Sequence, residues 1–180
     1  MNKFTAITTE IDARGVVHLT LNRPDKKNAL SAQMIAELTE FAGSIAKEPA
    51  ARVVVLRGAG DVFCAGGDLD WMKVQINADR AGRMAEARKL AQMLQSLNEL
   101  PLPLIGVVQG GAFGGGVGMA CVCDVAIAET DTKFGLTETR LGLIPATISP
   151  YVIARMGEGK ARRVFMSARI FAAQKPESLI

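Results

Sequence analysis

Apolar residues recur along this chain with two periods, and the switching between them predicts most of its elements. Phe4 to Ile11 and Val16 to Leu21 alternate as strands do, with Asp12-Ala-Arg-Gly15 as the turn of a β-hairpin. A polar loop follows, Asn22 to Asn28. Ser31 then stands where a helix N-cap should be, and Met34, Leu38, Phe41 and Ile45 share one helical face, with Pro49 to end it. Val53-Val-Val-Leu56 is short, β-branched and wholly apolar, which predicts a strand buried on both faces. A longer helix is predicted from about Asp79 to Leu100, with Met84, Ala87, Ala91, Leu94 and Leu97 on one side.

Past Pro101 and Pro103 lies another buried strand, Leu104 to Val108, then a glycine-rich break at Gly114-Gly-Gly116, then a short helix through Val117 to Val122. Asp124 to Ala128 and Lys133-Phe134 read as further strands, and Ser149 to Ser167 as two helices divided at Gly157 and Gly159. Strands alternating with helices predict an α/β domain with a parallel sheet. No internal repeat or low-complexity segment interrupts it, and at 180 residues the chain is one domain, or one domain and a piece of another.

The glycine break carries the first chemistry. A strand that ends in glycines and restarts as a helix leaves backbone N–H groups unpaired at the positive end of the helix dipole. Such a site favours a phosphate, a carboxylate or an oxyanion. The spacing fits neither G-x-G-x-x-G, since Met119 holds the third glycine's place, nor a P-loop, since no Lys-Ser/Thr follows. Tight helix–sheet packing is the alternative. A second glycine pair, Gly66-Gly67, also precedes a helix start, near Asp68, and offers another free N–H. Glu138, in an apolar glycine-punctuated loop, is either a buried carboxyl with a raised pKa suited to proton transfer or a surface group paired with Arg140. Arg23, Lys26 and Lys27 either bind an anion or are simply solvated.

Composition removes other classes. Lys and Arg number 21 against 18 Asp and Glu, which is no nucleic-acid footprint. Cys64, Cys121 and Cys123 have no disulfide or zinc spacing and read as buried thiols of a cytoplasmic protein, so no metal is expected. The single histidine, His18, lies in a strand away from any nucleophile's setting. Neither a signal peptide nor a bilayer-spanning apolar run is evident, so no membrane association is expected.

Three stretches, in order, resemble the crotonase (enoyl-CoA hydratase/isomerase) superfamily. They are Leu21-Asn-Arg-Pro with Asn28-Ala-Leu30; Phe63-Cys-Ala-Gly-Gly-Asp-Leu69; and Gly110 to Asp124 continuing to Phe134-Gly and Glu138-x-x-x-Gly142-Leu-Ile-Pro145. The match spans residues 4 to 167 of a single core domain. The resemblance implies a crotonase (ClpP-like) fold: repeated ββα units, stacked sheets wrapped by helices, and a homotrimer or dimer of trimers. It implies an acyl-coenzyme A thioester substrate and no separate cofactor, coenzyme A being part of the substrate. The thioester oxygen would be held by the N–H groups of Gly67 and Gly115, with Glu138 as acid/base. Ala65, Gly66, Gly67, Asp68 and Leu69 would form one wall of the coenzyme A site, Lys26, Lys27 and Ala29 the other, with Gly114 and Gly118 at the acyl end.

Two departures from the family pattern shape the expectation. Hydratases of the family usually carry an earlier glutamate where this chain has Gly118, which leaves one carboxylate and favours an isomerase. Leu141 to Val152, however, resembles a hydratase subgroup that acts on glutaconyl-type thioesters in leucine and acyclic-terpene degradation, where glycine at position 118 looks usual. Hydration across the 2,3 double bond is therefore the leading expectation, with extra room at Gly118 for a branched or carboxylated chain. Family members also continue beyond residue 168 into C-terminal helices that close the pocket and build the trimer. Residues 168–180 read as an incomplete start of that region, which leaves open a chain that binds acyl-CoA without turning it over.

Overall fold

The computed structural model describes residues 4–173. Strands β1 (Ile7–Ile11) and β2 (Val16–Leu21) pair antiparallel around the Asp12–Gly15 turn, as the alternation predicts. Strands β3 (Val53–Gly58), β4 (Leu104–Val108) and β6 (Val125–Ala128) then add in parallel, giving a sheet of order β1-β2-β3-β4-β6. A second, three-stranded sheet holds β5 (Gly111–Phe113), β7 (Lys133–Gly135) and β8 (Ile170–Ala172). The pattern of apolar residues did not announce β5 and β8, because three residues are too few to show a period. Residues 170–172, expected to open a helical region, are strand: Ile170 and Phe171 are strand formers, and the Phe171 ring stacks on Phe134 at 5.7 Å. Residues 174–180 of that expected region lie outside the described residues.

Helices cover the large sheet. Helix α1 (Ala32–Ile45) is capped by the Ser31 hydroxyl, which accepts from the Met34 N–H at 3.2 Å. Its Met34, Ile35, Leu38 and Phe41 are buried against Leu19, Leu21, Leu56 and, from helix α3 (Arg80–Asn98), Met93, Leu94 and Leu97. Met84 does not join them. It is exposed, because only the C-terminal half of α3 lies in the core. Helix α2 (Leu69–Asn77) packs on α3, and helix α4 (Gly115–Val122) is buried almost throughout. The final pair, α5 (Ser149–Met156) and α6 (Glu158–Ser167), divides at Gly157 as predicted, while Gly159 lies inside α6.

One stretch of chain joins the layers. It leaves the first sheet at Val108, enters the second at Gly111 and begins α4 at Gly115. Two single-residue bridges, Leu30 to Gly67 and Cys64 to Ala112, draw the loops at residues 22–30 and 62–68 to the same place. The opposite side of the molecule is less covered. On edge strand β6, Val125 and Ile127 are exposed. No helix among the described residues is long and apolar enough to cross a membrane.

Candidate active site

The two glycine loops meet. Leu30 donates its N–H to the Gly66 carbonyl at 2.7 Å and accepts from the Asp68 N–H at 3.0 Å, so the Gly67 N–H between them points away from that ladder. Gly115 is the first residue of α4, with Gly114 before it, and its N–H is one of those a helix start cannot satisfy internally. Gly67 and Gly115 line one cavity of about 500 Å³, together with Leu30, Trp71 and Glu138.

Gly114 has φ +48, and a Cβ there would stand 3.0 Å from Glu138 Oε1. Glycine at this position therefore serves both the backbone turn and the close seat of the carboxylate. Glu138 begins a single 3-10 turn, Glu138–Leu141, and is half-buried. Its Oε2 is buried with no hydrogen-bond partner. Burial pushes the Glu138 carboxyl above the ordinary carboxylate range, against a hydrogen bond from its own backbone N–H. The surface-pair reading of Glu138 fails, since Arg140 Nη2 donates instead to the Ala168 carbonyl at 2.7 Å. An apolar cavity lined by two glycine backbones and by a carboxyl of raised pKa with one unpartnered oxygen suits stabilising an oxyanion and moving a proton beside it.

The scaffold around Gly67 accounts for several residues expected to touch ligand. Asp68 is nearly buried, with both carboxylate oxygens engaged: Oδ1 caps α2 by accepting from Asp70 and Trp71, and Oδ2 accepts from Arg23 Nη2 at 2.8 Å. Burial alone would raise the Asp68 pKa; the hydrogen bonds from Arg23, Trp71 and Asp70 outweigh it and hold the carboxyl low. The carboxylate thus has a structural role, which leaves the backbone of Asp68 for the expected coenzyme A wall. Arg23, also considered as an anion site, is the tie between the loops, its Nη1 donating to the Ala29 carbonyl at 2.6 Å. Buried Asn28 completes the tie with bonds to Arg23, Ala59 and Val62.

Of the remaining wall residues, Ala65 donates to the Lys27 carbonyl at 3.0 Å, which brings the two expected coenzyme A walls together. Lys26 is exposed, 3.9 Å from Asp70, and Leu69 is also exposed at the same rim. The extra room expected at Gly118 requires a correction. It is buried in α4, and a Cβ there would come within 2.5 Å of Ile148 Cγ2 and 3.6 Å of Leu94 Cδ2. No extra room exists at this position: Ile148 fills it, and Ile148 rather than Gly118 lines the cavity.

The far wall escaped the sequence reading. Trp71, Met72, Arg83, Glu86 and Leu90 line it from α2 and α3. The spacing 83, 86, 87, 90 is a helical stripe, but it starts with charged residues, which a search for apolar periodicity passes over. The signal available was the chain's one tryptophan, beside the second glycine pair.

Residues 12–178 match the enoyl-CoA hydratase/isomerase family. The chain is 35% identical over 155 residues to the enoyl-CoA hydratase ACTT6 of Alternaria alternata, covering 86% of this chain and 50% of that protein. It is 30% identical over 172 residues to the mitochondrial methylglutaconyl-CoA hydratase of Mus musculus, covering 94% of this chain and 54% of that one. A solved enoyl-CoA hydratase from Shewanella pealeana superposes with a TM-score of 0.94 at 38% identity, over 98% of this chain and 66% of the other. This chain belongs to the enoyl-CoA hydratase/isomerase family and has the crotonase fold. It spans about half the length of these two curated relatives.

Proposed function

We propose that the protein adds water across the 2,3 double bond of an enoyl-CoA, and that the acyl group is branched or of the glutaconyl type. The observation that carries this is the Glu138 carboxyl: half-buried, raised in pKa, unpartnered at Oε2 and seated against Gly114 at the start of α4. In this reading the Gly67 and Gly115 N–H groups hold the thioester oxygen as it gains negative charge, a contribution of about 3 to 4 kcal/mol per donor. Glu138 takes a proton from the attacking water and delivers one to the α-carbon. The coenzyme A moiety runs along the rim formed by Ala65, Leu69, Ala29 and Lys26-Lys27, where the lysines meet phosphate. The relative from Mus musculus, a methylglutaconyl-CoA hydratase, and the Leu141 to Val152 stretch support the glutaconyl-type substrate. The exposed apolar residues Val125, Ile127, Ile144 and Met166 support assembly as a homotrimer or dimer of trimers.

One observation favours a second reading. Ile148 fills the space over Gly118, so no second carboxylate shares this position with Glu138, and a single carboxylate suffices to shuttle a proton in an enoyl-CoA isomerase. An ultraviolet assay separates the two. Loss of conjugated absorbance with 3-methylglutaconyl-CoA identifies a hydratase, whereas a gain with 3-hexenoyl-CoA alone identifies an isomerase. Silence with both, alongside retained acyl-CoA binding, would leave a binding protein and overturn the catalytic reading.

A further inference from the structure

The cavity that holds Glu138 has an unmatched charge on its far wall. Arg83, Glu86, Ala87 and Leu90 fall at successive turns of α3 and all line it. Glu86 is already engaged: Oε2 accepts from Trp71 Nε1 at 3.0 Å and Oε1 pairs with Lys89 at 2.5 Å, which together hold its carboxyl low. Asp79, one turn before Arg83, is taken up in capping α3, accepting from the Gly82 N–H at 2.7 Å. Arg83 itself has no carboxylate within ion-pair distance among the described residues, and it is the one cation lining the cavity. The same cavity is lined by Trp71, Ile76, Ala87 and Leu90, with Gln75 among them, and Arg83 is exposed at its side.

This arrangement orders the wall by chemistry. Leu90 and Arg83 lie seven residues apart, about 10 Å along a helix axis. Leu94, a turn beyond Leu90, packs near Gly118 of α4, so Arg83 stands toward the end of α3 away from that contact. A guanidinium favours a carboxylate, which it can grip with two parallel N–H donors.

We infer that Arg83 is a specificity-determining residue that receives a carboxylate carried at the distal end of the acyl chain. The inference rests on the acyl-CoA reading of the site and names the class of acyl group: an acidic one, attached to an apolar stem. Trp71 and Glu86 act with it by holding the wall in shape, the indole fixed by its hydrogen bond to Glu86.

Trp71 is the chain's one tryptophan and lines the cavity, so its fluorescence reports occupancy directly. The test is a titration of the unmodified protein, Arg83→Gln and Arg83→Lys with two unreactive saturated thioesters of equal stem length, glutaryl-CoA and valeryl-CoA. The parent should bind glutaryl-CoA about tenfold more tightly than valeryl-CoA, with the preference shrinking as salt is raised. Arg83→Gln should abolish the preference while leaving the valeryl-CoA Kd within about twofold, and Arg83→Lys should restore part of it. Binding of both esters with equal affinity, or a preference unchanged in Arg83→Gln, would overturn the role of Arg83 alone. Failure of both esters to bind would overturn the acyl-CoA reading and the inference with it.

Discussion

Two helices begin at glycines beside the same cavity, and they begin differently. At α2 the N-terminus is closed by its own side chain: Asp68 accepts from Asp70 and Trp71 and is in turn held by Arg23. At α4 no side chain caps the start, since Gly114 has none to offer, and the buried Oε2 of Glu138, close by, has no hydrogen-bond partner. A side-chain cap takes up N–H groups that an external anion would otherwise use, whereas an uncapped start in an apolar setting leaves them free. In the proposed reaction the two loops would divide the work: the tied α2 loop would hold the Gly67 N–H in direction, and the uncapped α4 start would receive the developing charge.

The sharpest way to break this division is at Glu138. Glu138→Gln keeps size and removes the proton-transfer group, so turnover in the absorbance assay should fall by about 10²- to 10⁴-fold while acyl-CoA binding persists. Near-parental turnover would sink the assignment. The same variant carries a stability signature. A carboxyl whose folded pKa is raised contributes stability in its protonated form, fully below the unfolded pKa, and loses that contribution as pH rises through the folded value. Glu138→Gln should thus resist urea better than the parent at neutral pH, with the advantage narrowing in acid.

Next in size is the filled space over Gly118. Gly118→Glu must displace Ile148 and should lower stability by about 1 to 3 kcal/mol or more, measured by urea unfolding. Adding Ile148→Ala should recover part of the loss. A single Gly118→Glu variant as stable as the parent would mean that the position is open after all. At the other loop, Asp68→Ala removes the cap of α2 and should cost about 0.5 to 2 kcal/mol. Because the Asp68 pKa is held low, the cap stabilises above the ordinary aspartate range and fades as pH falls through the lowered value, so parent and variant should converge in acid. The smallest effect belongs to the rim. The exposed Lys26–Asp70 pair spans 3.9 Å, and Lys26→Ala should leave stability within about 0.5 kcal/mol. Any weakening of CoA-ester binding in that variant should diminish at high salt.

Most of this division could be read from the chain before its fold was known, but not all. The two glycine loops and Glu138 stood out because glycine and an isolated carboxylate in apolar surroundings are local signals. The elements α1, β2, β3 and β4 were legible for the same reason, their period being written in consecutive residues. Asp68 was legible as a helix start, yet the engagement of both its oxygens depends on Arg23, which lies 45 positions away and announces nothing locally. The filling of the Gly118 space by Ile148 is likewise a contact across the fold. Sequence alone suggests that a glycine leaves room, whereas a packed interior gives the room to a neighbour.

The three thiols give the molecule a property of a different kind. Cys64 and Cys123 are buried and Cys121 partly so, and burial pushes their pKa values to about 12, 12 and 11. At neutral pH almost none of this sulfur is thiolate, the form that attacks alkylating and disulfide reagents. Cys64 lies against the bridge that carries the strand before α4, since its carbonyl accepts from the Phe113 N–H at 2.9 Å. Labelling at Cys64 therefore requires that the junction of the two sheets come apart, so its rate under native conditions is a clock for opening of that junction. Cys121, facing a shallow apolar hollow beside Arg155 and Phe171, keeps a separate and faster time for the periphery.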